Sequence, residues 1–162
     1  METPLIFSKT HPFLSNYSNH AFKYEGKYFP SLAHFLAWSK AIYLEEYQMA
    51  DDILQNPDDL TFYEEELDGE NTGIWERKLP EVLLEGLTLK FDAHPDLKLA
   101  LLKTENIPLG YTPSRIMGIG LRRSDSFNKD LKKWKGRNLL GNALMRVRHI
   151  YQYPKEDLSD TD

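Results

Sequence analysis

The sequence predicts a mainly α fold with a small β element (α+β), and three observations carry that reading. Apolar residues recur at helical spacing through "SLAHFLAWSKAIYL", "PEVLLEGLTLKF" and "NLLGNALMRVRHIYQY". The pair of alternating aromatic runs in "FKYEGKYF" brackets Gly26 and has the layout of a hairpin. No repeat, low-complexity linker or composition break divides the 162 residues, a length that suits about one domain. A chain of this size buries roughly two-thirds of the surface its unfolded form exposes, so it needs no staples. The expected organisation is one domain over residues 1–153 and an acidic flexible tail over 154–162.

Taken in order, residues 5–29 are rich in aromatics and turn formers. At Pro30-Ser31 the chemistry changes. Ser31 reads as an N-cap, and a helix follows to about Leu44 with positions 33, 37 and 40 along one face. A second helix spans about Tyr47 to Leu54 and stops before Asn56-Pro57. The acidic run "PDDLTFYEEELDGENTGIW" reads as an exposed connection holding at most a short helix. Pro80 sits at a first-turn position of the next helix, with acids near its start. His94-Pro95 restarts the chain into "PDLKLALLKT". Residues 104–110 read as loop, "PSRIMGIGL" as strand or loop, and the last long helix closes the fold.

Composition excludes several classes. With no cysteine, disulfides, thiolate metal sites and a cysteine nucleophile are ruled out. No stretch approaches the ~18–20 apolar residues of a membrane span, and "METPLIFSKTH" lacks the layout of a signal peptide. A cytoplasmic protein is the expectation. The formal charge of −5 argues against general nucleic-acid binding, yet the bases crowd residues 115–148 and can present a basic pocket to an anion. His11, His20, His34, His94 and His149 lack metal-ligand spacing, so no metal or cofactor is expected.

Each candidate has two readings. His34 is a hydrogen-bonded packing residue or a ligand group. Trp75 and Trp134 are core or stacking platforms. Ser15, Asn16 and Asn138 cap turns and helices or contact a ligand. Lys40 and Arg115 are surface charges or anion partners. Gly118 and Gly120 permit close packing or border a pocket, since "GIG" lacks the third glycine of a dinucleotide fingerprint.

The set is more specific than its members. "FLSNYS" (13–18), "YEGKYFPSLAHF" (24–35), Lys40, Trp75, "LKF" (89–91), "RIMGIGL" (115–121) and "WKGRNLLGNALMRVR" (134–148) resemble, in order, the signature of the NADAR (YbiA-like) family. The resemblance implies a mainly helical domain that cleaves N-glycosidic bonds. Members are associated with phosphorylated ribosylamine intermediates of riboflavin synthesis and with removal of ADP-ribose from guanine. Such a reaction passes through an oxocarbenium-like state, for which a carboxylate is wanted.

Against that pattern the chain departs at its presumed reactive positions. The family's usual Glu falls on Ala33, its Gln one turn later on Ala37, and its later Asp and Trp on Ser114 and Met117. The resemblance therefore implies a catalytically impaired NADAR-like protein that sequesters or senses a nucleotide with a ribose-phosphate or ADP-ribose core. A viral sponge for an NAD-derived immune signal is one such setting. The binding set would be Ser15, Asn16, His34, Lys40, Trp75, Arg115, Gly118, Gly120, Trp134 and Asn138. The alternative is an active N-glycosidase whose acid has moved to Glu65, Glu66 or Glu70. A second alternative is a protein-interaction module that uses residues 58–70 or the tail.

Overall fold

A computed structural model describes residues 2–69 and 72–154. In chain order its elements are β1 (Leu5–Phe7), β2 (Phe22–Tyr24), β3 (Lys27–Phe29), α1 (Leu32–Tyr43), α2 (Tyr47–Gln55), α3 (Leu60–Leu67), α4 (Thr72–Ala93), α5 (Pro95–Leu102), β4 (Leu109–Tyr111) and α6 (Leu139–Gln152). Short 3-10 turns occupy Pro57–Asp59 and Leu131–Lys133. The α+β class expected from periodicity is the class observed. Two compact units form, one from Lys9–His94 and one from residues through Ser8 together with Pro95 onward.

In the Lys9–His94 unit, β2 and β3 pair antiparallel with Tyr24 opposite Lys27. Glu25 and Gly26 between them have φ of 49° and 79°, as a two-residue type I′ turn requires. Ser31 caps α1, its hydroxyl accepting from the His34 N–H. From α1, Phe35 packs edge-on against Phe22 and Phe29 of the hairpin. Ala37 and Ala41 face another way, into a core made with Ala50, Ile53, Tyr63 and Leu67.

Two expectations are corrected here. The acidic segment after Pro57 holds a short helix, α3, as expected, but it is not simply exposed, because α3 buries Tyr63 and Leu67. Its carboxylates conceal an i,i+4 apolar pair, and the Tyr63 hydroxyl donates to the Asp52 and Asn56 carbonyls. The next helix starts at Thr72, so Pro80 lies inside α4. An interior proline costs about 3 kcal/mol. Burial of Trp75, Leu79, Val82, Leu83, Leu87 and Phe91 outweighs it, at ~1.5–3 kcal/mol for each large apolar side chain.

In the other unit, β1 pairs parallel with β4, Leu5 opposite Leu109 and Phe7 opposite Tyr111. Residues 104–110, expected as loop, therefore end in a strand. Against it pack Leu140, Leu144 and Val147 of α6, all buried. "PSRIMGIGL" is loop, and backbone bonds stitch it to the start of α6. Gly136 N–H donates to Ile119 O, Arg137 N–H to Arg115 O, Asn138 N–H to Gly118 O and Leu140 N–H to Met117 O, at 2.7–3.0 Å. Among the described residues no helix is long and apolar enough to cross a membrane.

The stitch leaves no room for side chains at its crossing point. A Cβ at Gly118 would collide with the Tyr111 and Ser114 carbonyl oxygens, which are backbone and cannot rotate away. Gly118→Ala is expected to destabilise this unit by at least ~1–3 kcal/mol, read as a lower midpoint in denaturant unfolding.

Candidate functional site

The loop "FLSNYS" is held by a buried cation. Lys90 of α4 is fully buried, and its ammonium donates to Phe13 O (2.7 Å), Ser15 O (3.1 Å) and Ser18 Oγ (2.9 Å). Burial pulls Lys90 down to about 7, even though three acceptors use all three of its N–H groups. Within the loop, Ser15 Oγ accepts from Tyr17 N–H at 3.0 Å, tightening the turn.

This pinned loop supports the start of α1. The Asn16 carbonyl accepts from Ala33 N–H at 2.8 Å, satisfying one of the free donors at a helix start. Asn16 is 7% exposed, and its Oδ1 is buried with no hydrogen-bond partner among the described residues. Such an acceptor costs ~1–3 kcal/mol while it stays unpaired. Ala33 is buried in the helix start that this bond holds.

His34 completes the frame. Its Nδ1 meets Ser31 Oγ at 2.7 Å and its Nε2 meets Pro57 O at 2.8 Å. A carbonyl only accepts, so Nε2 carries a proton. The ring thereby ties the α1 cap to the turn before α3. From α3, Glu64 Oε2 accepts from the Tyr17 hydroxyl at 2.8 Å. Burial pushes the Glu64 carboxyl up and prevails over the Tyr17 hydrogen bond and the charges of Lys9 and His34, which pull the other way. A carboxyl whose charged form is disfavoured by burial is a candidate proton donor.

The remaining candidates of this unit lie elsewhere. Lys40 sits half-buried in the last turn of α1, where a cation complements the helix dipole. Trp75 is buried on α4 against the Tyr43 ring and lines a cleft with Phe35 and Trp38.

In the other unit, Arg115 is exposed and contributes its carbonyl to the stitch. Ser114 Oγ accepts from Ile116 and Met117 N–H at 3.1 and 3.0 Å. The serine therefore provides the turn cap that an aspartate would provide there, without the charge. Gly118 and Gly120 permit the crossing, Gly120 at φ 75°. Trp134 donates from Nε1 to Asn128 O at 2.7 Å, and its ring covers Gly110. Asn138 accepts from Tyr111 N–H and donates to Leu109 O, fastening β4 to the start of α6.

Ser15, Asn16 and His34 thus share one hydrogen-bonded frame, joined by Lys90, Tyr17 and Glu64, which sequence reasoning did not select. The signals were present. Lys90 follows Leu83 and Leu87 on the apolar stripe of α4, and Glu64 falls between Leu60 and Leu67 at helical spacing. Glu65 and Glu66, the acids expected to replace a lost carboxylate, are exposed, and Glu70 lies outside the described residues.

A family model described as the NADAR domain matches residues 2–151. The chain belongs to the NADAR family. An N-glycosidase of Acanthamoeba polyphaga mimivirus is 41% identical over 84 residues, covering 51% of this chain and 49% of that protein. Protein irg-1 of Caenorhabditis elegans is 28% identical over 120 residues, covering 70% of this chain and 57% of that protein. The matches thus span about half the length of these relatives. The NMR structure of the Escherichia coli protein YbiA is similar at a TM-score of 0.70 and 20% identity, over 97% of this chain and 92% of that one. That likeness is one of fold.

An exposed lysine keeps its proton to about 10.5, whereas Lys90 in this NADAR chain releases it near 7. The unfolded chain holds the extra proton between those values, so the lysine's contribution to stability rises with pH across that window. Lys90→Met leaves the Phe13 and Ser15 carbonyls without this donor. It should cost ~1–3 kcal/mol, with a deficit that widens between pH 7 and 9 in guanidinium unfolding.

Proposed function

We propose that this NADAR chain binds a nucleotide with a ribose-phosphate or ADP-ribose core, and sequesters or senses it with little turnover. The observation that supports this reading is the buried Asn16 Oδ1, which has no hydrogen-bond partner among the described residues. A ribose hydroxyl is a donor of the right kind for it. Ala33 puts a methyl where the family pattern has an acid. The site is thereby less suited to an oxocarbenium and more tolerant of an anionic ligand.

Calorimetry with ADP-ribose, NAD and ribose 5-phosphate tests it. Saturable binding of at least one is expected. Asn16→Leu should weaken that binding about tenfold, or ~1.4 kcal/mol, without lowering the melting temperature, because the deleted acceptor has no partner to orphan. No heat from any of the three at millimolar concentration overturns the proposal.

A second reading is favoured by Glu64. The mimivirus relative is named an N-glycosidase, and Glu64 is a half-buried carboxyl with a raised pKa, bonded to the same loop. In this reading water adds across the bond between ribose C1′ and nitrogen. Its oxygen joins C1′, and Glu64 takes its proton and returns one to the departing nitrogen. Chromatography of an ADP-ribosylated guanine substrate would then show base release. Glu64→Gln would reduce that release by ~10²–10⁴ while ligand binding persisted. Absence of release above the uncatalysed rate in the native chain rules this reading out.

A further inference from the structure

We propose that the aromatic cleft formed by α1, α4 and the β2–β3 turn is a binding site for a small organic cation of the alkylated-ammonium class. The cleft is lined by the rings of Tyr24, Trp38, Tyr43 and Trp75, and by the carboxylates of Glu25 and Glu85. Its volume is about 240 Å³, below the ~300–1,000 Å³ of sites for drug-sized molecules. A headgroup fits that space. The Phe35 and Val82 side chains that also line it are buried, so the cleft rests on the packed core.

The chemistry of the lining selects a cation. Ring faces attract cations within ~6 Å of their centroids, and more strongly when the site is desolvated. Trp38 already does so: the Lys27 ammonium lies 5.7 Å from its centroid, and Lys27 lines the neighbouring cleft, not this one. Among the described residues Glu25 and Glu85 form no ion pair within contact distance; Lys78, the one cation in the lining, is paired with Glu81 one turn away and feels Glu85 only at longer range. The Tyr24 hydroxyl feels both carboxylates: the charge of Glu85 first, then the charge of Glu25 and a hydrogen bond to it, push its pKa up.

The turn supplies a separate observation. Glu25 has a φ of 49°, in the left-handed region that Asn occupies readily and longer side chains do not. Asn-Gly is the favoured pair for a type I′ turn, yet the chain has Glu-Gly. The turn geometry places the Glu25 side chain at the rim of the cleft, where it adds a carboxylate to the aromatic lining.

The cleft uses Phe35, Trp38 and Ile42 of α1, a different face from Ala33, Ala37 and Lys40. Its ligand is therefore independent of the nucleotide discussed above. Tryptophan fluorescence titration with choline, beside its neutral isostere 3,3-dimethylbutan-1-ol, is the test. Saturable quenching by choline is expected, with the neutral isostere at least about tenfold weaker. Glu25→Asn is the decisive variant: it should raise the melting temperature by relieving the turn while weakening choline binding about threefold or more. Glu85→Gln should weaken binding similarly. No saturation by choline up to about 100 mM, equal binding of the neutral isostere, or unchanged affinity in both variants overturns the proposal.

Discussion

A buried ammonium on α4 decides where the residues of the candidate site stand. Lys90 reaches three acceptors in one loop, and that loop contributes the Asn16 carbonyl that bonds the start of α1. Burying a charge without compensation is prohibitive, so the acceptors must be in place whenever the lysine is charged. The three bonds tie the loop to α4 at Phe13, Ser15 and Ser18. Ser15, Asn16 and Tyr17 are therefore presented by a rigid support, although none of them lies in a helix or strand.

The departures from the family pattern differ in physical meaning once the fold is known. Ala37 packs into the apolar core between α1, α2 and α3, where a small side chain lets the helices approach. Ser114 keeps a turn-capping role through its hydroxyl and gives up only a charge. Ala33 is buried at the start of α1, where its N–H is bonded by the Asn16 carbonyl. The carboxyl nearest in the hydrogen-bond network is Glu64, reached through Tyr17.

Helix α1 also shows how twelve residues serve several purposes. Its cap and His34 bind the frame, its alanines pack against α2 and α3, and its aromatic residues meet the hairpin and α4. Helical geometry makes this possible, because residues three and four apart share a face while intervening ones point elsewhere. In the other unit, close backbone crossing has the organising part: glycines at 118, 120 and 136 allow two loop segments to bond main chain to main chain.

The sequence by itself determined the helices with strong apolar periodicity, the hairpin at Glu25-Gly26, the Ser31 cap and, through the order of its motifs, the family. Those features depend on residues close together in the chain. Only the tertiary structure decided that β1 meets β4 across about a hundred residues, that Pro80 is carried inside a helix, and that Lys90 and Glu64 belong beside Asn16. Each of those depends on burial and on partners far away in sequence. Local propensity carries no record of a long-range strand pair, and a charge on an apolar stripe reads as a flaw until its acceptors are seen.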